Sequence, residues 1–191
     1  MDNEKVRDKM SKLMIFVATL CMVALVACGA DTSVEEAPSK MSGSALAEII
    51  QKFDEDAKVE GNGVQFTLNK RELFMVYDSE ANRMRIITPI APAGLAQEEM
   101  LTRMLQANYD AVLDARYALG NDIIWATFLH PLSSLTQEDF LSGVAQTVTA
   151  AETFGSSYTS GAMVFGGGDS NEIHEDLIKK LQDATKKGKE I

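Results

Sequence analysis

Residues 64–90 read VQFTLNKRELFMVYDSEANRMRIITPI, and this segment predicts three consecutive β-strands. Apolar and polar side chains alternate over residues 64–68, as expected for a strand with one buried face. The β-rich runs 71–78 and 83–90 flank a short connection at residues 79–82 and therefore predict a hairpin. The segment is long enough for a meander, so the centre of the chain is predicted to be an antiparallel sheet.

One helix is predicted before this strand segment and another after it. From Ala45 onward, apolar residues fall three and four positions apart, which predicts a first helix; they are Leu46, Ile49, Ile50 and Phe53. A second helix is predicted from about Leu95 to Asn108. Glu98 and Glu99 lie in its first turns, where the helix dipole favours negative charge.

Two more strands and a third helix complete the predicted domain. The strands lie near residues 112–119 and 123–130, joined by the turn Gly120-Asn121-Asp122. Thr136 is the predicted N-cap of the helix that follows, with Asp139 three residues later in a near capping box. The core face of this helix repeats every third or fourth residue at Phe140, Val144, Val148 and Ala151. The element order α-β-β-β-α-β-β-α indicates an α+β domain over residues 45–155.

The chain changes character after this domain. Residues 156–170 are rich in Gly and Ser and are predicted to form a connector. Residues 171–191 predict a C-terminal amphipathic helix with the apolar stripe Ile173, Leu177, Ile178 and Leu181. This stripe is too apolar to remain in water, so the helix is predicted to pack on its own sheet or within a homodimer; docking on a partner is the alternative.

The N-terminal segment has the layout of a secretory signal. Four basic residues precede an uncharged run at residues 13–27, and Leu25-Val26-Ala27-Cys28 follows at its end. This ending resembles the lipobox of bacterial lipoproteins. The resemblance implies a signal peptide at residues 1–27, lipid attachment to Cys28 and a flexible tether at residues 28–44. The alternative, an uncleaved membrane helix, would span about 22 Å, short of a hydrocarbon core of about 30 Å.

The net charge predicted for the exported chain excludes one class of partner. Removing residues 1–27 takes away 4 basic and 3 acidic residues and leaves 14 basic and 25 acidic ones, a net charge of −11. Such a chain should not bind nucleic acid through a basic patch. Gly29, the residue after Cys28, favours an outer-membrane location facing the periplasm, by resemblance to Gram-negative sorting signals.

The residues that could carry chemistry are few. Cys21 would leave with the signal and Cys28 would carry lipid, which leaves no thiol for a disulfide, a zinc site or catalysis. His130 and His174 are the only histidines, and neither has a His or Cys partner at metal-ligand spacing. Structural or surface roles are therefore predicted for both histidines.

Other candidate motifs have simpler explanations. The pairs Glu98-Glu99 and Glu138-Asp139 lie in first helical turns, where the helix dipole accounts for them. Gly166-Gly167-Gly168 lacks the Lys-Ser/Thr ending of a P-loop. Ser156, Ser157 and Ser160 lack the strand-to-helix turn of a nucleophile elbow. The sequence thus predicts no catalytic, cofactor-binding or metal-binding residue.

Apolar residues of the domain leave two questions open. Trp125 is predicted to pack in the core beside Ile123, Ile124 and Phe128, although an exposed Trp there would mark an interface. The methionines are predicted to fill the core, and an adaptable apolar groove is the alternative; those in the domain and connector include Met75, Met84, Met100, Met104 and Met163.

Two local segments resemble a known family. Leu101 to Asn108 resembles the second helix of the class I type III secretion chaperones and YbjN-like proteins. Leu129-His130-Pro131-Leu132, followed by Leu135-Thr136 and Phe140, resembles the passage into their last helix. The resemblance covers roughly residues 45–154. It implies a small, often dimeric protein that binds extended peptides without catalysis, although secretion chaperones act in the cytoplasm and this chain has a predicted export signal.

Together these observations predict an envelope lipoprotein with a non-catalytic domain that binds a protein or peptide. One alternative is a structural or accessory subunit of an envelope complex. The other is an enzyme whose site is assembled from scattered acids and His130.

Overall fold

The described part of the chain comprises residues 41–157, 163–164 and 170–187 of a computed structural model. The predicted signal peptide, Cys28, most of the tether and most of the connector lie outside these residues. The helices are α1 Gly43–Gln51, α2 Glu98–Asp110, α3 Gln137–Glu152 and α4 Ser170–Lys187. The strands are β1 Lys58–Glu60, β2 Gly63–Leu68, β3 Arg71–Asp78, β4 Arg83–Pro92, β5 Arg116–Gly120, β6 Ile123–His130, β7 Ser156–Ser157 and β8 Met163–Val164.

Six strands form one antiparallel sheet in the order β1-β2-β3-β4-β6-β5. The hairpins predicted from residues 64–90 are present, with Gln65 opposite Phe74 and Phe74 opposite Ile87. Strand β6 pairs with β4 and places β5 at the edge. The α+β prediction is confirmed, with β1 as an additional edge strand and β7 and β8 as a separate two-stranded sheet.

Local sequence explains where the helices begin. Ser42 caps α1, since its Oγ accepts a hydrogen bond from the Ala45 amide at 3.1 Å. Helix α3 begins with the capping box predicted for Thr136, whose Oγ1 accepts from the Asp139 amide at 3.0 Å. The predicted start of α2 at Leu95 is wrong, because the chain first makes a 3₁₀ turn at Ala93–Leu95.

Strand β5 also starts later than predicted. Residues 112–115 form a turn in which Leu113 has a φ of 55°, a conformation incompatible with a strand. The side chain of Gln146 stabilises this turn, because its Oε1 accepts the amide hydrogens of Asp114 at 2.9 Å and Ala115 at 3.1 Å. The strand therefore begins only at Arg116.

All four main helices lie on the side of the sheet where alternate strand residues are buried. The larger core joins α1, α3 and α4 to β2, β3, β4 and β6, and its fully buried side chains include Leu46, Phe66, Leu73, Met75, Ile86 and Phe140. The smaller core lies under α2 and includes Met104, Ala107, Tyr117 and Ile124. The opposite side of the sheet contributes to neither core.

The C-terminal helix packs on its own domain. Leu177 and Leu181 are both 1% exposed and belong to the larger core, and Ile173 and Ile178 pack beside them. Most contacts of α4 are with α3. The helix therefore packs on its own domain, mainly against α3 rather than on the sheet as predicted; packing within a homodimer stays a prediction. Among the described residues, no helix combines the length and apolar character needed to cross a bilayer.

Candidate functional site

The side of the sheet that faces away from the helices forms a broad surface. Successive side chains of a strand point to opposite faces, so the residues between the core positions point outward. We call this side the open face. Its residues on the four central strands and β5 include Gln65, Thr67, Glu72, Phe74, Val76, Asp78, Arg83, Arg85, Ile87, Pro89, Arg116, Ala118, Trp125, Thr127 and Leu129. None of them belongs to either core cluster.

Strand register brings the apolar members of the open face together. One row across the sheet runs through Phe74, Ile87 and Thr127, and the next runs through Val76, Arg85 and Leu129. Side chains directly opposite one another in antiparallel strands have Cβ atoms about 5 Å apart. We call the contiguous set formed in this way the apolar patch; it comprises Phe74, Val76, Ile87, Pro89, Trp125 and Leu129.

The apolar patch is accessible to solvent. Val76 is 46% exposed and Leu129 is 41% exposed, while the other four members are half-buried by their strand neighbours. No described helix packs over them. Contiguous exposed apolar side chains of this kind are typical of interaction sites.

The orientation of Trp125 corrects a sequence prediction. Trp125 was expected in the core, but Ile124, Ala126 and Phe128 occupy the buried positions of β6, so period two directs the indole outward. Its Nε1 donates to the Gly120 carbonyl at 2.8 Å, which holds the ring along the hairpin. The outward alternative, considered from sequence as an interface signal, is the one observed.

Arginines accompany the apolar patch. Strands β4, β5 and β6 contain Arg83, Arg85 and Arg116 and no acidic residue. Arg83 and Arg85 project from the open face, whereas Arg116 turns back to the start of β5 and lines the cavity beside Gln146. Arg116 donates to the carbonyls of Leu113 and Ala115. Within the described residues, Arg83 and Arg85 form no ion pair, although Asp78 lies directly opposite Arg83. Their guanidinium groups are exposed in a chain with a net charge of −10.

Both edges of the sheet are partly closed by side chains. On β5, Asn108 of α2 accepts from the Tyr117 amide at 2.7 Å and donates to the Tyr117 carbonyl at 3.1 Å. At the other side, Asp54 accepts from the Thr67 amide at 2.6 Å, beyond the end of the short strand β1. Backbone groups occupied in this way cannot pair with an added strand. The open face is therefore the larger accessible surface of the sheet.

A second exposed apolar surface lies on α2 and the turn after it. Leu105 is 71% exposed, Tyr109 is 91% exposed and Leu113 is 64% exposed. Leu105 and Tyr109 are four residues apart and therefore lie on one side of the helix. We call these three residues the helix patch. The sequence pattern did not separate them from buried positions, because Leu101, Met104 and Leu105 all fit one apolar stripe.

His130 lies beside a polar cavity of about 400 Å³. Its Nδ1 is 2.8 Å from the Pro131 carbonyl oxygen, and its ring stacks on Phe128 with centroids 6.1 Å apart. Asp139 shares this cavity, but its carboxylate accepts from the amide and hydroxyl of Thr136. These hydrogen bonds hold the pKa of Asp139 below its usual value, which makes the carboxylate a poor general base.

His174 lies in a groove between α3 and α4. The groove, of about 440 Å³, also contains Glu138, Asp139, Glu175 and Lys179. The Nδ1 atom of His174 is buried and has no hydrogen-bond partner within the described residues. Burial lowers the pKa of His174 below 6.5, opposed by the nearby charge of Glu175. The described residues contain no group of three or more His, Cys, Asp or Glu side chains that could hold a metal.

The remaining candidates do not converge on a common site. The pair Glu98 and Glu99 and the pair Glu138 and Asp139 lie in the first turns of α2 and α3, as predicted. Gly166 to Gly168, Ser160 and Cys28 lie outside the described residues. The methionines of the domain fill the cores: Met75 and Met84 belong to the larger one, Met104 to the smaller one, and Met100 packs against it.

This chain resembles known proteins in the arrangement of its backbone. No protein-family model matches the chain, and no curated protein matches it. Several solved structures have a similar arrangement, including the three that follow. A chain of the ExsC–ExsE complex has a TM-score of 0.48 at 11% identity, covering 59% of this chain and 92% of that chain.

The two other structures include proteins named as chaperones. A chain of the HopA1–SchA chaperone–effector complex has a TM-score of 0.47 at 12% identity, covering 61% of this chain and 98% of that chain. A chain of the complex of the Yersinia pestis type III secretion chaperone SycH with a stable fragment of YscM2 has a TM-score of 0.44 at 14% identity, covering 56% of this chain and 97% of that chain.

Proposed function

We propose that this chain is an envelope lipoprotein whose domain binds a protein or peptide segment without catalysis. The observation that carries the proposal is the apolar patch, which a well-folded domain leaves uncovered by any described helix although it possesses two cores. Removing such a patch from water on binding is favourable by about 25 cal/mol per Å² of apolar area. The partly closed sheet edges favour the face, rather than an added strand, as the contact surface.

Side-chain roles within the domain support a binding function over an enzymatic one. The polar groups best placed for chemistry are already engaged in structure: Asp139 caps α3, and Gln146 holds the turn before β5. His130 has a backbone carbonyl and an aromatic ring as its neighbours. Substituting His130→Ala should therefore leave partner binding intact in a folded protein.

The binding proposal is tested by isolating partners from solubilised membranes with the full chain as bait. The double variant Val76→Ser and Leu129→Ser should lose a specific partner identified by mass spectrometry. Val59→Ser is the matched control, because Val59 is exposed but lies on β1 opposite Val64, on the other side of the sheet. Equal recovery of the partner with both variants would contradict the proposal. Constitutive recovery of one partner without affinity for free peptides would instead indicate a structural subunit.

Membrane anchorage through Cys28 is part of the proposal and is supported by the lipobox-like sequence before it. We propose that signal cleavage makes Cys28 the N-terminus, that lipid holds it in the membrane, and that the domain faces the periplasm from the outer membrane. A Cys28→Ser variant should leave the membrane fraction. Mass spectrometry of the extracted protein should find a modified Cys28; an intact segment 1–27 would contradict the proposal.

We also infer that two copies associate through the helix patch. Leu105 and Tyr109 lie on one side of α2 and are too exposed to contribute to the core. A two-fold contact between two such patches removes the same apolar side chains of both copies from water. Sedimentation of the detergent-solubilised chain should give a dimer. Leu105→Ser with Tyr109→Ser should give a monomer, whereas Thr102→Ser should not.

A further inference from the structure

We propose that the segment bound by the open face carries acidic side chains interspersed with apolar ones. This inference rests on the proposed binding function and specifies the chemistry of its partner. The apolar patch explains why the open face binds apolar side chains. The arginines beside the patch explain why it prefers segments that also carry acidic side chains.

The charge distribution of the domain is the first argument. The chain has 28 acidic and 18 basic residues, yet β4 and β6 contribute the guanidinium groups of Arg83 and Arg85 and no acid to the open face. The acids on this face belong to β3, where Asp78 lies directly opposite Arg83. One of them, Asp78, accepts from the Ala81 amide at 2.9 Å within its own turn. The half of the open face formed by β4, β6 and β5 is therefore locally positive.

The position of Arg85 is the second argument. Register places it between Val76 and Leu129, the two most exposed members of the apolar patch. Neighbours in such a row are about 5 Å apart. A partner that covers both apolar side chains must bring its own adjacent residue over the Arg85 guanidinium. A carboxylate there forms a charge-assisted hydrogen bond, whereas an apolar or basic residue leaves the arginine desolvated without a partner.

A protein segment fits these features better than an anionic membrane surface. Adsorption to anionic lipid needs a cluster of basic residues and is opposed by net negative charge. Arg83 and Arg85 are exposed, but Arg116 is already held by two backbone carbonyls, and the chain as a whole is strongly acidic. Two free guanidinium groups next to an apolar patch suit local pairing with carboxylates.

The test uses three fluorescein-labelled peptides that share alternating Leu and Val positions. Their remaining positions are filled by Asp and Glu, by Ser and Gln, or by Lys. Fluorescence anisotropy with the full chain in non-ionic detergent should show the acidic peptide binding about fivefold to tenfold more tightly than the Ser/Gln peptide, and the Lys peptide more weakly than both. Raising NaCl from about 50 mM to about 500 mM should reduce this preference.

Variants separate the charge contribution from apolar binding. Arg83→Gln with Arg85→Gln should abolish the preference, because the acidic peptide then binds no more tightly than the Ser/Gln peptide. Arg103→Gln, an exposed arginine on α2, is the matched control and should keep the preference.

Three outcomes overturn the inference. Equal affinity for the acidic and Ser/Gln peptides refutes the role of charge but leaves the binding function standing, since that function depends on Val76 and Leu129. Binding to phosphatidylglycerol vesicles with no peptide preference refutes the protein segment as the ligand. Failure of all three peptides to bind refutes the inferred chemistry of the ligand. The proposed binding function is then tested separately, by the loss of a partner from the Val76→Ser and Leu129→Ser double variant.

Discussion

Gly143 of α3 lies so close to Phe128 of β6 that a Cβ atom on the glycine would be 2.5 Å from two atoms of the phenyl ring. Phe128 is itself buried, so its ring has little room to move. The absence of a side chain at Gly143 therefore sets how closely α3 approaches the sheet. Glycine favours helices less than alanine does, but it occurs at position 143 because the close packing leaves no room for a side chain.

Substituting Gly143→Ala should destabilise the domain. The added methyl group overlaps the Phe128 ring, and such overpacking costs about 1–3 kcal/mol, more than the helix-propensity gain of about 1 kcal/mol. Thermal unfolding followed by circular dichroism should show a lower midpoint. Gly94→Ala is the control, because nothing lies within 4 Å of the Cβ it would add. Equal midpoints for the two variants would show that α3 shifts freely.

Leu181→Ala should destabilise the domain by about 2–5 kcal/mol, because it leaves a cavity where α4 packs into the larger core. Urea unfolding of the variant measures the loss. Lys180→Ala, on the exposed side of the same helix, removes only an ion pair with Asp176 at 3.9 Å and should cost under about 0.5 kcal/mol. Deleting residues 170–191 should lower stability further without converting a dimer to a monomer. Unchanged stability after the deletion would contradict the packing of α4.

Stability should fall as the pH decreases through the titration range of His174. Burial lowers the pKa of this histidine in the folded state below 6.5, so the unfolded chain binds its proton more readily. The folded state therefore keeps its full stability above the unfolded pKa of about 6.5 and loses part of it as the pH falls through the depressed folded pKa. Glu138, Asp139, Glu175 and Lys179 face the same groove.

Urea unfolding at pH 7.5 and about pH 5 should therefore show a smaller loss of stability for His174→Gln than for the unmodified chain. His130→Gln is the matched control and should retain the larger loss. Identical pH profiles for the His174→Gln variant and the parent chain would assign the effect to other groups.

Trp125 should act as a fluorescent reporter of the open face. It is the only tryptophan in the chain, and it lies within the apolar patch rather than in a core. Binding of a segment to this face should shift its emission to shorter wavelength, because water is excluded from the indole. Trp125→Phe should change unfolding stability by under about 1 kcal/mol, whereas Phe128→Ala should cost about 3–5 kcal/mol. Comparable losses from the two substitutions would place Trp125 in the core after all.

Local patterns were sufficient to predict much of the fold. The alternation at residues 64–68, the turn at residues 79–82 and the capping box at Thr136 each depend on neighbours in sequence, and the structure contains all three. Strand β1 was missed because its three residues are all exposed and therefore show no alternation. The start of β5 was missed because its preceding turn depends on Gln146, which is distant in sequence.

The open face was harder to predict because it depends on strand pairing. Val76, Arg85 and Leu129 become neighbours only once β4 pairs with β3 on one side and β6 on the other. The direction of Trp125 was nevertheless encoded locally, since Ile124, Ala126 and Phe128 define the buried face of β6. A run of apolar residues on both faces concealed this alternation.

The strand order also has a kinetic consequence. Strands β2, β3 and β4 are joined by short turns, so their pairing needs only local loop closure, whereas Met84 of β4 must find His130 of β6 after α2 and β5 have been traversed. Closing the longer loop costs more chain entropy before any contact offsets it. The meander is therefore expected to form early during folding, while the docking of β6 limits the rate. Until that docking occurs Leu129 has no neighbour on β4, so the apolar patch lacks the two side chains, Trp125 and Leu129, that β6 supplies.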